Sequence, residues 1–154
     1  MTATYSVSAS TRVRVPAERV YGIIADYHEG HPRILPKQFT SLVVEEGGVG
    51  AGTIIRCEMR LMGQKQTFRA AVTEPEPGRV LRESIIEGDP LITTFTVMPT
   101  ASGDECDVSI ESVVPAKPGV RGLIERFFVP RILAPMYQEE LERLNDYAIS
   151  GIPR

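Results

Sequence analysis

Cysteine is scarce in this chain: Cys57 and Cys106 are the only two among 154 residues, and each lies inside a strand-like run. Two buried, reduced thiols are expected, and no disulfide framework or metal knuckle can be built from them. An excess of basic charge is missing as well. The 17 Lys and Arg against 20 Asp and Glu leave a net charge of -3, which disfavours duplex nucleic acid as a general partner. No apolar stretch approaches the ~20 residues of a membrane-spanning helix, and the opening MTATYSVSAS has neither the basic flank nor the apolar run of a signal peptide. The cytoplasm is the expected compartment. Also absent are a Ser-His-Asp order, a CxxC pair, an HExxH helix, a Walker loop and a dinucleotide glycine fingerprint, so nucleophilic hydrolysis and nucleotide chemistry drop out as leading readings. No metal or cofactor is expected.

The longest helical pattern spans residues 118–151. Val120, Leu123, Ile124, Phe127, Phe128, Ile132, Leu133, Met136, Tyr137, Leu141, Leu144 and Ala148 recur there in steps of three and four, so one stripe is expected to meet protein and the other water. Thirty-odd residues extend to roughly 45–50 Å, beyond the ~30 Å of a nine-residue strand. Pro130 and Pro135 therefore predict a kink or break between Val129 and Pro135.

Upstream, residues 5–15 alternate as a half-buried strand, and Pro16 opens a short amphipathic helix through Val20, Ile23, Ile24 and Tyr27. Residues 28–36 leave room for one brief helical turn around 33–35. Strands are then predicted at 39–46, 53–62, 65–74, 79–87, 91–98 and 105–114, separated by glycine- and proline-bearing turns. Short connections favour antiparallel neighbours. The fold class is α+β in a single domain, 1–154. A curved seven-stranded antiparallel sheet wraps the long C-terminal helix, with one or two short helices between strands 1 and 2. A sheet curled over one rod leaves unfilled space.

This order resembles the helix-grip superfamily of START lipid-transfer domains, the birch-pollen-allergen group and bacterial polyketide cyclase/dehydrase-like proteins. The likeness is carried by Val15-Pro16-Ala17-Glu18-Arg19-Val20-Tyr21, by Asp26-Tyr27 through Pro36, by Gly50-Ala51-Gly52-Thr53 and by Glu74-Pro75-Glu76-Pro77-Gly78-Arg79-Val80-Leu81. Relatives often place a tryptophan before the second strand; this chain has none, and Ile34-Leu35-Pro36 stands there. The resemblance implies a deep, mostly apolar pocket between sheet and C-terminal helix for a lipid-like, aromatic or polyketide-like molecule. Carriers and enzymes share that scaffold, so fold alone selects neither.

Large or adaptable apolar side chains that either pack as core or line such a cavity are Tyr27, Met59, Phe68, Phe95, Phe127 and Met136, with Tyr137 supplying a hydroxyl on the helix stripe. His28 and His31, beside Asp26 and Glu29, form the one concentration of acid-base or metal-capable groups. They read as a solvated corner, a metal site lacking a third ligand, or a proton-transfer site at the pocket mouth. By alternation one of Arg82 and Glu83 points inward; an inward Arg82 would clamp a carboxylate or polarise a ketone, whereas inward Leu81 and Ile85 leave it outside. Lys117, Arg121, Arg126 and Arg131 crowd the start of the last helix, either as a solvated face or as a contact for an anionic bilayer or acidic protein.

The first expectation is binding or carriage of a hydrophobic small molecule, with residues 28–36, 47–52 and 115–131 as rims of the mouth. An enzyme is the less favoured reading: a cyclase or dehydratase in which Arg82, Tyr137 or His28 acts on a bound chain, requiring two of them to reach one cavity. A third is a protein-interaction module with a filled cavity.

Overall fold

The computed structural model describes residues 3–151. The elements run β1 (Thr4–Val13), α1 (Ala17–Ala25), α2 (Gly30–Ile34), β2 (Phe39–Glu46), β3 (Ile54–Leu61), β4 (Gln64–Glu76), β5 (Val80–Glu87), β6 (Ile92–Pro99), β7 (Cys106–Pro115) and α3 (Gly119–Ser150). No strand end differs by more than two residues from the sequence-based expectation, because alternating apolar positions and turn residues both mark these boundaries. The seven strands form one sheet in the order β1-β7-β6-β5-β4-β3-β2, every pairing antiparallel. This is the α+β helix-grip architecture. No helix among the described residues is long and apolar enough to cross a membrane.

β1 and β2 are the two edges of the sheet, so the segment joining them must cross from one edge to the other, and α1 and α2 make that crossing. α2 starts at Gly30, earlier than the turn expected around 33–35. Asp26 is the reason: its Oδ1 accepts the backbone N–H groups of His28 and Glu29, and its carbonyl accepts that of His31 at 2.7 Å. The 47–52 loop fastens onto this corner through Tyr27 N–H to the Gly48 carbonyl at 2.8 Å and Gly50 N–H to the Ala25 carbonyl at 2.9 Å. Gly48 sits at φ 143°, a conformation that side chains rarely adopt, and the His28 ring lies over it.

The inner face of the sheet follows strand parity. Val7, Ala9 and Val13 of β1, Ile55, Cys57 and Met59 of β3, Phe95 and Val97 of β6, and Val108 and Ile110 of β7 are buried. Arg56 and Arg69 on the outer face share Glu45 at 3.1 and 2.6 Å. The second half of α3 covers the inner face with Met136, Tyr137, Glu140, Leu141, Leu144 and Ala148.

Two expectations for α3 are revised. Of the kink or break expected between Val129 and Pro135, the break does not occur, and both prolines lie inside one 32-residue helix. The carbonyls that lose their partners belong to Arg126 and Arg131, both exposed, where water replaces the missing N–H. The apolar stripe also fails to bury along its whole length: Val120, Leu123, Ile124, Phe127 and Phe128 are each more than half exposed. Along these first turns the opposite side of the helix, with buried Gly122 and half-buried Glu125 and Val129, is the one that faces the protein.

Candidate functional site

Between the inner face of the sheet and α3 lies a cavity of about 660 Å³. Met59 and Phe68 line it from β3 and β4, Phe95 from β6, and Met136 and Tyr137 from α3. The exposed lining residues Gln66, Thr67, Gly88, Asp89, Pro90 and Lys117 mark its mouth. Of the rims expected, Leu35 and Pro36 line the cavity from the first segment, and Pro115, Lys117, Glu125 and Val129 from the last. Residues 47–52 do not, because that loop is fastened to the α1–α2 corner.

The blind end is polar. Tyr27, His31 and Glu140 are 1%, 2% and 5% exposed, and His31, Glu83, Tyr137 and Glu140 face the space. Glu83 reaches it because it shares strand parity with Leu81 and Ile85, while Arg82 and Ser84 point the other way. The Tyr27 hydroxyl donates to Oε2 of Glu83 at 2.5 Å, and Nε2 of His31 lies 3.5 Å from that same oxygen. Nδ1–H of His31 donates to the Ile24 carbonyl at 2.7 Å. Nδ1 is thereby engaged by the backbone, and Nε2 is the ring nitrogen turned toward Glu83. The ring is fixed by stacking on Tyr27, centroids 4.4 Å apart, and by an edge contact with Phe95 at 5.6 Å.

On the opposite wall, Thr93 and Ser112 share a hydrogen bond of 2.6 Å, and Ser112 in turn bonds the Tyr137 hydroxyl. Burial raises the Tyr137 phenol to about 12, against the lowering effect of the Ser112 and Thr93 hydroxyls. Tyr27 is held well above the ordinary phenol range by burial first and by the charge of Glu83 second. Glu140 is likewise pushed well above the usual carboxyl range, mainly by burial and further by Glu83. Among the described residues its Oε2 has no hydrogen-bond partner. Burial also raises the Cys57 thiol, which leaves a poor nucleophile beside the cavity.

Several positions depart from expectation. Phe127 stands on the exposed face of α3, opposite the side that carries Glu125 and Val129 toward the cavity. Arg82 lies on the outer face of β5, where its Nε donates to Thr94 Oγ1 at 3.3 Å. His28 is exposed and lies against Gly48 instead of entering the cavity. α2 begins only at Gly30, which leaves His28 outside the helix that carries His31. Tyr27 does not line the cavity wall but supports it from beneath through Glu83. Of Arg82, Tyr137 and His28, only Tyr137 reaches the space. Sequence reasoning missed Glu140 entirely, although an acid three residues after Tyr137 and four before Leu144 falls on the apolar stripe. Thr93 and Ser112 carried no signal beyond parity. Among the described residues, no three His, Cys, Asp or Glu side chains converge as metal ligands.

The fold recurs in solved structures. KanY protein superposes with a TM-score of 0.82 at 24% identity, covering 96% of this chain and 99% of that one. The Zhui aromatase/cyclase from a Streptomyces species superposes at 0.80 with 16% identity, covering 98% and 97%. At these identities the likeness is one of fold. Pathogenesis-related protein 2 of Petroselinum crispum is 32% identical over 98 residues, 58% of this chain and 62% of that protein. The chain thus matches less than two thirds of that relative's length. A family model described as polyketide cyclase / dehydrase and lipid transport matches residues 4–148, from the first strand to the buried end of α3, and the chain belongs to that family.

Proposed function

We propose that this chain binds a mostly apolar small molecule in the cavity, with its polar group directed to the blind end. The carrying observation is the cavity itself: about 660 Å³, walled by aromatic, Met and aliphatic side chains and closed by a few polar groups. Those dimensions and that composition suit a ligand site. The Tyr5 hydroxyl, another cavity-lining polar atom without a protein partner, adds a point of attachment nearer the rim. Binding or carriage is the first reading. Native mass spectrometry of freshly purified protein, followed by denaturing extraction, tests it. A stoichiometric passenger of lipid, quinone or aromatic type is the expected result. A clean apo mass, unshifted in a thermal screen of lipids and polyketide mimics, would overturn it.

One observation favours a second reading, catalysis of the cyclase or dehydratase type suggested by the family description. The His31–Glu83 pair and the protonated Glu140 face one space. A carboxylate can take a proton from carbon, and a neutral carboxylic acid can give one to a departing hydroxyl, the two halves of a dehydration. Conversion of the extracted passenger by the wild type but not by Glu83→Gln, with binding retained, would select this reading. Recovery of unchanged passenger from both would select carriage.

A further inference from the structure

We propose that the blind end of the cavity, where Glu140 and Glu83 meet beside Tyr27, His31 and Tyr137, is a subsite for the ammonium group of an otherwise apolar amine. The inference rests on the cavity being the ligand site and names the chemistry it selects.

Charge within the cavity points this way. Lys117 is the only Lys or Arg among the described lining residues; it is exposed at the mouth, where its Nζ lies 3.2 Å from Glu125. The blind end holds two carboxyl groups, and its one basic side chain, His31, is already engaged by the Ile24 carbonyl and by Glu83. A ligand carboxylate entering there would meet two acids and no free cation. A ligand hydroxyl would bring one donor.

An ammonium brings three donors and a positive charge. Glu140 has the matching deficit, since its Oε2 is buried, belongs to a cavity-lining side chain and accepts nothing from the described residues. The neighbours that decide its charge come from every surrounding element: His31 from α2, Cys57 from β3, Glu83 from β5, Tyr137 from its own helix, and Tyr27 beneath Glu83. None of them is a free cation. Without ligand, burial keeps the Glu140 proton in place. A bound ammonium supplies the missing counter-charge, so the carboxyl ionises and its proton leaves to solvent. The apolar remainder lies along Phe95, Met59 and Met136 toward the mouth.

The test is isothermal titration calorimetry of the whole chain with decylamine, 1-decanol and decanoate, each below its micellar concentration. The amine is expected to bind roughly ten- to a hundredfold more tightly than the alcohol, the span of a charge-assisted hydrogen bond, with decanoate weakest. Titrations in two buffers of different ionisation enthalpy should report release of about one proton per amine bound. Glu140→Gln should lower amine affinity toward that of the alcohol and abolish proton release. Equal binding of all three probes, or tightest binding of decanoate, would overturn the amine subsite while leaving the cavity reading intact. No binding of any probe would overturn both.

Discussion

The hydroxyl of Tyr27 and Oε2 of Glu83 are 2.5 Å apart, which ties the turn between α1 and α2 to the middle of β5 beneath the cavity. The same oxygen faces Nε2 of His31. Tyr27→Phe removes a donor from a buried carboxylate, and a lost partner of that kind costs about 1–3 kcal/mol. Chemical denaturation should show that loss, with a larger fraction recovered in Tyr27→Phe/Glu83→Gln, where the charge has gone too. A fully additive double variant would show that the two side chains are not coupled.

Glu140 makes stability depend on pH in a direction opposite to that of a salt-bridged acid. Its carboxyl is held well above the ordinary 4.5, by burial first and by Glu83 second. Above pH 4.5 the unfolded chain has released this proton while the native chain keeps it. The native state binds more protons, so stability falls as pH rises, by about 1.4 kcal/mol per pH unit until the native carboxyl ionises. Glu140→Gln removes the dependence. The variant's advantage over wild type in urea unfolding should be small near pH 4 and should widen as pH rises through 5 and 6. A gap that stays constant with pH would contradict the assignment of a buried, protonated Glu140.

What the sequence revealed and what it concealed divide on physical grounds. Strand boundaries were legible because parity and turn residues act locally, as at Phe39–Glu46, where expected and observed limits coincide. The orientation of β5 was only half legible. Arg82 and Glu83 are both charged, and which one shares a face with the core depends on the pairing of Leu81 and Ile85, also buried or half-buried. Glu140 was concealed because a search for apolar periodicity passes over an acid on the apolar stripe. The outward turn of the first part of the α3 stripe was concealed more deeply. Val120 and Leu144 repeat the same pattern, yet one is exposed and the other buried, since only tertiary structure decides which side of each helix segment meets the protein.

His28 and His31 should respond to mutation in contrary ways. His28 is exposed, and His28→Ala should shift stability by no more than about 0.5 kcal/mol. His31 is 2% exposed, stacked on Tyr27 and bonded to the Ile24 carbonyl. His31→Ala leaves a void and an unpartnered carbonyl, a combination that costs roughly 2–4 kcal/mol. Arg82→Ala, on the outer face, should resemble His28→Ala in stability and leave probe binding unchanged. A loss of binding in Arg82→Ala would mean that β5 presents its other face to the ligand.

The first turns of α3 make a prediction about where a ligand enters. At 100° per residue, Val120, Leu123, Ile124, Phe127 and Phe128 fall within an arc of roughly 140°, flanked by Arg121 on one side and Arg126 on the other. Gly122 is buried against the opposite side, so the exposed arc faces away from the core. Arg131 lies over the Phe127 ring at 3.7 Å, and Glu125, the only acid between residues 117 and 131, lies 3.2 Å from Lys117 and 3.5 Å from Arg121. Four cations against one acid around an apolar face suit an anionic bilayer, each cation contributing about 1 kcal/mol near such a surface. Lys117 also lines the cavity mouth, so docking there would bring the mouth to the membrane. The chain should co-sediment with phosphatidylglycerol-containing vesicles and much less with pure phosphatidylcholine, weakening as salt screens the basic residues. Leu123→Glu/Phe127→Glu should abolish sedimentation without loss of stability, because neither side chain is buried. Equal sedimentation of that variant, or a dimer of the wild type that the same substitutions dissolve, would assign the face to something other than lipid.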